Sequence, residues 1–282
     1  MNTIQTSLNQ AQRLLADDEA KAAAEILLAY VLNKPRSYLY TWPDAEISVA
    51  QHEHYLALLH QRQQQVPVAY LTGYQEFWSL NFEVNEHTLI PRPDTEVLVE
   101  ATLALPLSSS VNLLDLGTGS GCVAISLQHE QPDWHIVATD ISPKALKTAQ
   151  LNAVRLLPDS EIRWFASDWF AHLPTMKFDV IVSNPPYIAA NDSHLEALQY
   201  EPRSALVPRG DTLGLADLQH LAVHASRYLH PGGYLLMEMG YDQATAMQEY
   251  LDSLNYQDVE VIHDYNDQPR VIKGRWVKPS YA

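Results

Sequence analysis

Cysteine is nearly absent from this sequence. Cys122 stands alone, so no internal disulfide can form and no cysteine-based zinc site can be built from it by itself. It reads as a small buried residue. Basic charge is also scarce: 18 Lys and Arg against 34 Asp and Glu give a net charge of −16, which opposes long-range attraction to nucleic-acid phosphates. No direct nucleic-acid partner is expected. Long apolar runs are missing too. The longest near the start, residues 26–32, is far short of a bilayer span, and Met1-Asn2-Thr3-Ile4-Gln5-Thr6 has no basic stretch leading into an apolar one. The expectation is a cytoplasmic chain without membrane contact, acting as a monomer. Neither low-complexity tracts nor internal repeats occur. What is present is a globular balance, 46% apolar and 18% charged over 282 residues, enough for two domains or one large α/β domain.

Helical patterns fill residues 1–73. Leu8, Ala11, Leu14 and Leu15 form one stripe, Ile26, Leu27, Tyr30 and Val31 another, and Tyr55, Leu58 and Leu59 a third. Asp17 and Asp18 suit a helix start, and Pro43 and Pro67 punctuate the segment. A small helical bundle is expected there, carrying a net charge of only −2 against −14 for the remainder. Residues 74–90, with partial alternation from Phe77 to Val84, read as a β-hairpin linker. In Pro91-Arg92-Pro93-Asp94-Thr95-Glu96 a proline and two acids precede apolar residues, which reads as a helix start stabilised by its acids.

Beyond it, strand-like runs at 111–116, 135–140, 161–165, 178–183 and 233–239 alternate with helical patterns. That alternation predicts an α/β fold, a parallel sheet with helices on both faces, over residues 91–282. Residues 259–262 and 270–272 add two strands, the last expected antiparallel. Met237 and Met239 share a strand face and read as core. His220 and His224 lie four apart, but no third ligand accompanies them, so no metal is expected.

The first strand runs into Gly117-Thr118-Gly119-Ser120-Gly121. Glycines there let the backbone turn sharply and approach a ligand, and the following helix offers free N–H groups. Cys122 replaces the third glycine of a dinucleotide fingerprint and no Gly-Lys-Ser/Thr follows, which favours a nucleoside without a pyrophosphate. Asp140 closes the next strand, where its carboxylate can accept from both ribose hydroxyls at about 1.5–3 kcal/mol each. The turn and the strand-end acid together resemble the class I, Rossmann-like S-adenosylmethionine-dependent methyltransferases. That resemblance implies S-adenosyl-L-methionine as cofactor, held by Gly117, Thr118, Gly119, Ser120, Gly121 and Asp140, with Asp168 at the adenine amino group and Trp169 on its face.

Asn184-Pro185-Pro186-Tyr187 follows the strand at 178–183, beside the proposed cofactor. Two prolines fix φ and remove two donors, so the Asn184 side chain and the Pro185 carbonyl can be held as acceptors for a planar NH₂ group. The lone pair of such a nitrogen is delocalised, so orientation must supply the activation, and no base is required. Asn184, Pro185 and Tyr187 are the expected catalytic residues, Asn184 also contacting the cofactor. Asn184, Pro185, Pro186 and Tyr187 are expected to bind substrate, Tyr187 by stacking on it.

The tetrapeptide is shared by methyltransferases acting on adenine and on glutamine amides, so it specifies a chemical group and not a substrate. The wider layout resembles the PrmC/HemK family. The match rests on Pro67-Val68-Ala69-Tyr70-Leu71-Thr72-Gly73, Phe77-Trp78, Leu89-Ile90-Pro91-Arg92-Pro93-Asp94-Thr95-Glu96, Asp115 to Gly121, Ser167-Asp168-Trp169-Phe170, Asn184 to Tyr187 and Glu201-Pro202. It implies N5 methylation of the glutamine in the Gly-Gly-Gln motif of class I peptide-chain release factors, with residues 1–73 helping to receive that protein. The segment 207–215 departs from the family pattern by its length and is given no role. An adenine-N6 methyltransferase acting on DNA or RNA, and a non-catalytic module keeping only the pocket, stand as alternatives.

Overall fold

A computed structural model describes residues 2–15 and 19–278; the expected helix start at Asp17 and Asp18 lies outside the described residues. The chain divides into two compact units, Met1–Tyr74 and Gln75–Ala282.

The first unit is helical: α1 (Ile4–Leu14), α2 (Ala20–Leu32), α3 (Arg36–Thr41), α4 (Val49–Gln63) and α5 (Val68–Thr72). Thr3 and Ser48 close capping boxes on α1 and α4, each satisfying donors that a helix start leaves free. Ala11, Leu27, Leu28, Leu39, Tyr55 and Leu59 form its core, and the Tyr55 hydroxyl donates to the Ala24 carbonyl oxygen at 3.0 Å. The buried face of α2 is rotated from the expected stripe. Ala20, Ala23, Ala24, Leu27 and Leu28 are buried while Tyr30 is exposed, because the small alanines let the helices approach closely.

The second unit opens with a two-stranded hairpin, β1 (Tyr74–Phe77) and β2 (Leu80–Glu83). Trp78 and Ser79 both take positive φ (52° and 58°), the geometry of a two-residue turn whose twist matches the strands. The segment expected as a linker is packed into this unit. Phe77 and Phe82 are buried in its core, and the Asn152 side chain bonds both main-chain groups of Glu83.

After α6 (Glu96–Leu103), β3 (Asn112–Leu116), α7 (Cys122–Glu130), β4 (His135–Asp140), α8 (Pro143–Leu156), β5 (Arg163–Ala166), β6 (Phe178–Ser183), α9 (Ala216–Ala225), β7 (Leu229–Glu238), α10 (Ala244–Ser253), β8 (Tyr256–His263) and β9 (Pro269–Trp276) build the α/β layer. The seven-stranded sheet runs β5-β4-β3-β6-β7-β9-β8. Its first five strands are parallel; β9 is antiparallel to both β7 and β8. Leu113, Leu114, Val180 and Ile181 are buried, as strands covered on both faces require. The chain leaves β3 for β4 on one side and returns for β6 on the other, which opens a crevice beyond their carboxyl ends. Among the described residues no helix is long and apolar enough to cross a membrane.

Candidate active site

Because β3, β4, β5 and β6 are parallel, the segments that follow Leu116, Asp140, Ala166 and Ser183 all emerge at one edge. They wall a single cleft within the second unit, lined by Gly117, Thr118, Gly119, Ser120, Asp140, Asp168, Trp169 and Asn184. Segments ahead of α6 and after Glu201 close its other side through Thr88, Arg92, Thr95 and Pro202.

The glycine turn is held from within. The Thr118 hydroxyl donates to Asp115 Oδ2 at 2.6 Å, the Thr118 N–H to the Thr139 carbonyl oxygen, and Asn152 Nδ2 to the Ser120 carbonyl oxygen at 2.9 Å. Gly117 takes φ +73°, and a Cβ there would lie 3.3 Å from the Trp169 ring, so its absence lets the indole stand against the turn. Gly121 does not line the cleft. A Cβ on it would meet Ile125 Cδ1 at 2.9 Å and Ala149 Cβ at 3.1 Å, so its smallness serves the packing of α7 against α8. Cys122, part-buried at the start of α7, has its thiol pushed up to about 12, chiefly by burial.

Two acids underlie the turn, Asp115 buried and Asp140 part-buried at the cleft wall. Asp140 Oδ2 accepts the Gly119 N–H at 2.9 Å and Oδ1 accepts the Ser142 N–H at 2.8 Å. Each oxygen keeps a further lone pair. Burial raises the Asp140 carboxyl above its usual range against those two N–H bonds. Asp115, at 2% exposure, is raised to about 7, first by burial and then by the Asp140 charge, while the Thr118 hydroxyl acts in the other direction. Ile141, exposed beside Asp140, adds apolar surface to the cleft.

Asp168 and Trp169 reach the cleft as expected but arrive partnered. Asp168 Oδ2 pairs with Arg209 Nη1 at 2.9 Å, and Trp169 Nε1 donates to Asp217 Oδ1 at 3.2 Å. Trp169 sits at φ +50°, a strained position held by the Ser167 hydroxyl bonding its carbonyl oxygen at 2.7 Å.

At the end of β6, Asn184 and Pro186 line the cleft; Pro185 is buried and, like Tyr187, is not part of the wall. Asn184 Nδ2 donates to Thr95 Oγ1 at 3.1 Å, which leaves Oδ1 as the free end of the amide. Tyr187, expected to stack on substrate, packs against the core around β7 and donates its hydroxyl to Glu238 Oε1 at 2.9 Å. That bond anchors the turn to β7.

The Ile-Pro-Arg-Pro-Asp-Thr-Glu run does more than start a helix. The Ile90 N–H donates to Glu201 Oε2 at 2.9 Å and Arg92 pairs with Glu201 Oε1, bracing one side of the cleft. Asp94 pairs with Arg270 at 3.1 Å, and Glu96 Oε1 accepts the Trp78 N–H at 2.7 Å. Sequence reasoning missed Asp115, Thr95, Glu201 and Glu238 as contributors. Asp115, Thr95 and Glu201 lay in segments already singled out, whereas nothing local marks Glu238. His220 and His224 stack on one another, ring centroids 4.2 Å apart, and no group of three metal-ligating side chains occurs among the described residues.

Sheet order, glycine turn, strand-end acid and the asparagine-led turn on one cleft define a class I methyltransferase with S-adenosylmethionine as its cofactor. The residues fit that group: Gly117 admits close approach and the Asp140 carboxylate retains acceptor capacity at the wall. Residues 93–217 match the methyltransferase small domain model, and residues 6–73 match the PrmC N-terminal domain. The chain belongs to the release factor glutamine methyltransferase family. The protein of that name from Shewanella oneidensis is 44% identical over 268 residues, covering 94% of this chain and 93% of the relative. The one from Escherichia coli is 41% identical over 266 residues, covering 94% and 95%. Among solved structures, a methyltransferase from Pyrococcus furiosus has the same fold, with a TM-score of 0.56 over 76% of this chain and 98% of that one at 18% identity.

Proposed function

We propose that this chain methylates the side-chain amide nitrogen of the glutamine in the Gly-Gly-Gln motif of class I peptide-chain release factors. The observation that carries the reading is the Asn184 amide: its nitrogen is engaged by Thr95, so its oxygen is the end offered to the cleft. The methyl group would come from bound S-adenosylmethionine: its S–C bond would break as an N–C bond forms on the amide nitrogen, which would give up one proton to water.

The chain's own residues supply orientation. Asn184 Oδ1 accepts one N–H bond of the glutamine amide, and the Pro185 carbonyl oxygen, the one atom of that buried residue the reading requires at the cleft, accepts the other, which aims the nitrogen and stabilises the positive charge that grows on it. Holding donor and acceptor in line contributes on the order of 7–11 kcal/mol, so a base is unnecessary. Asp140 would hold the ribose hydroxyls, the Gly117–Gly121 turn would lie beside the methionine portion, and Asp168 and Trp169 would meet the adenine. Tyr187 acts by pinning the turn to Glu238.

The helical residues 1–73 receive the release factor, and the net charge of −16 argues for a protein substrate over nucleic acid. The enzyme works as a cytoplasmic monomer. The test is methyl-label transfer to purified release factor, to its Gly-Gly-Gln glutamine variant and to adenine-containing DNA. One methyl on that glutamine, located by mass spectrometry, is the expected result; labelled DNA with unlabelled release factor would overturn the reading.

A further inference from the structure

An asparagine side chain is nearly symmetric in shape, and rotating it by half a turn exchanges a double acceptor for a double donor. The prolines after Asn184 fix the backbone but not that rotation. Only the acceptor end can grip an incoming NH₂ group, so something must select it.

Thr95 is the neighbour that makes the selection. It is buried, at 2% exposure, and its Oγ1 accepts from Asn184 Nδ2 at 3.1 Å. A hydroxyl, however, can donate as well as accept, and would serve either orientation of the amide if its own proton were free to turn. Glu238 removes that freedom. It ends β7 just beyond the register pair Ser183–Met237, which brings it alongside Asn184. It is 1% exposed, its Oε1 accepts from Tyr187, and its Oε2 has no hydrogen-bond partner. Burial raises the Glu238 carboxyl, while the Thr95 and Tyr187 hydroxyls and the charge of Arg270, itself fixed between Asp94 and Asp264, act in the other direction. In its ionised form that carboxylate only accepts, so the hydroxyl beside it turns its proton that way and presents its lone pair to Asn184.

We propose that Thr95 and Glu238 are positioning residues which fix the rotation of the Asn184 amide, Glu238 drawing the Thr95 proton and Thr95 drawing the Asn184 NH₂, so that Oδ1 faces the substrate. This rests on the reading of Asn184 as the group that grips the glutamine amide. Burial keeps the selection strong, since an unpaired polar group in this environment has no water to turn to.

The test compares Thr95→Val, which keeps the branched shape and loses the hydroxyl, with Thr95→Ser, which keeps the hydroxyl. Single-turnover transfer to release factor should fall on the order of 10²-fold in Thr95→Val, the size expected when one preorganised polar contact is lost, and return close to wild type in Thr95→Ser. S-adenosylmethionine affinity and KM for release factor should stay unchanged in both. The Asn184 side-chain NH₂ resonances, assigned by their loss in Asn184→Asp, should shift in Thr95→Val and in Glu238→Gln. Wild-type turnover in Thr95→Val would overturn the proposal, as would a loss that Thr95→Ser fails to restore, or NH₂ resonances unmoved in both variants. If the wild-type chain transfers no methyl to release factor, the substrate reading falls, while the resonances still decide the relay.

Discussion

The Asp140 carboxylate accepts the Gly119 amide N–H at 2.9 Å, tying the end of the second parallel strand to the glycine turn that follows the first. Both oxygens thus serve the fold while the group as a whole faces the cleft. Removing it should weaken both. Asp140→Ala is expected to lower S-adenosylmethionine affinity by about 10- to 100-fold, the equivalent of roughly 1.5–3 kcal/mol for a lost charge-assisted bond. It should also lower the melting temperature of the ligand-free protein, because two N–H groups lose their acceptor. Calorimetric titration giving wild-type affinity would show that Asp140 does not hold the ribose.

Asn184 is expected to behave in the opposite way. Its side chain bonds Thr95 and ends at the cleft, and it carries none of the backbone contacts that shape the glycine turn. Asn184→Ala should therefore leave S-adenosylmethionine binding within a few-fold of wild type while kcat for release factor falls about 10²- to 10³-fold. Equal losses in kcat and in cofactor affinity would mean that Asn184 binds cofactor and does not orient the amide.

How much of this was legible in the sequence depends on the range of the interactions involved. The strands at 135–140 and 178–183 are readable to the residue, since each is a mainly apolar run closed by a polar residue. The strand expected at 233–239 begins earlier, at Leu229, because the sheet register shifts between Phe178 and Val180 and carries Pro231 and Gly232 along. Asp94 and Glu96 read locally as helix-start acids, yet their partners are Arg270 and Trp78, brought near by tertiary structure alone. Tyr187 was legible as part of the motif but not in its direction, which Glu238, 51 residues away, determines.

Asp115 makes stability fall as pH rises. Its carboxyl titrates near 7 in the folded chain against 3.8 ordinarily, because burial disfavours the charge. Below pH 4 the group is neutral in both states. Between pH 4 and 7 the unfolded chain releases this proton while the folded chain retains it, so unfolding gains up to about 1.4 kcal/mol per pH unit from this residue, a cost fully present above pH 7. Asp115→Asn keeps an acceptor for the Thr118 hydroxyl and has no proton to release. Its stability relative to wild type should therefore improve from pH 5 to pH 8 in denaturant unfolding. A difference that stays constant over that range would indicate a carboxylate already ionised in the fold.

The loop at 207–215, to which the sequence assigned nothing, is fixed at Gly214. This glycine takes φ +79°, and a Cβ on it would lie 2.1 Å from the Tyr187 carbonyl oxygen, far inside contact distance. Neither the positive φ nor the rigid proline turn can yield cheaply. Gln243 Nε2 bonds the same carbonyl oxygen at 2.9 Å and the Leu213 carbonyl oxygen at 3.3 Å, so loop and turn share one clamp. Gly214→Ala should cost about 2 kcal/mol or more in stability. Because the strain falls on the turn that carries Asn184, turnover should drop further than S-adenosylmethionine affinity does. Thermal unfolding together with the two kinetic constants checks both parts, and a Gly214→Ala protein as stable and active as wild type would show that the loop and the Asn-Pro-Pro-Tyr turn are not clamped together.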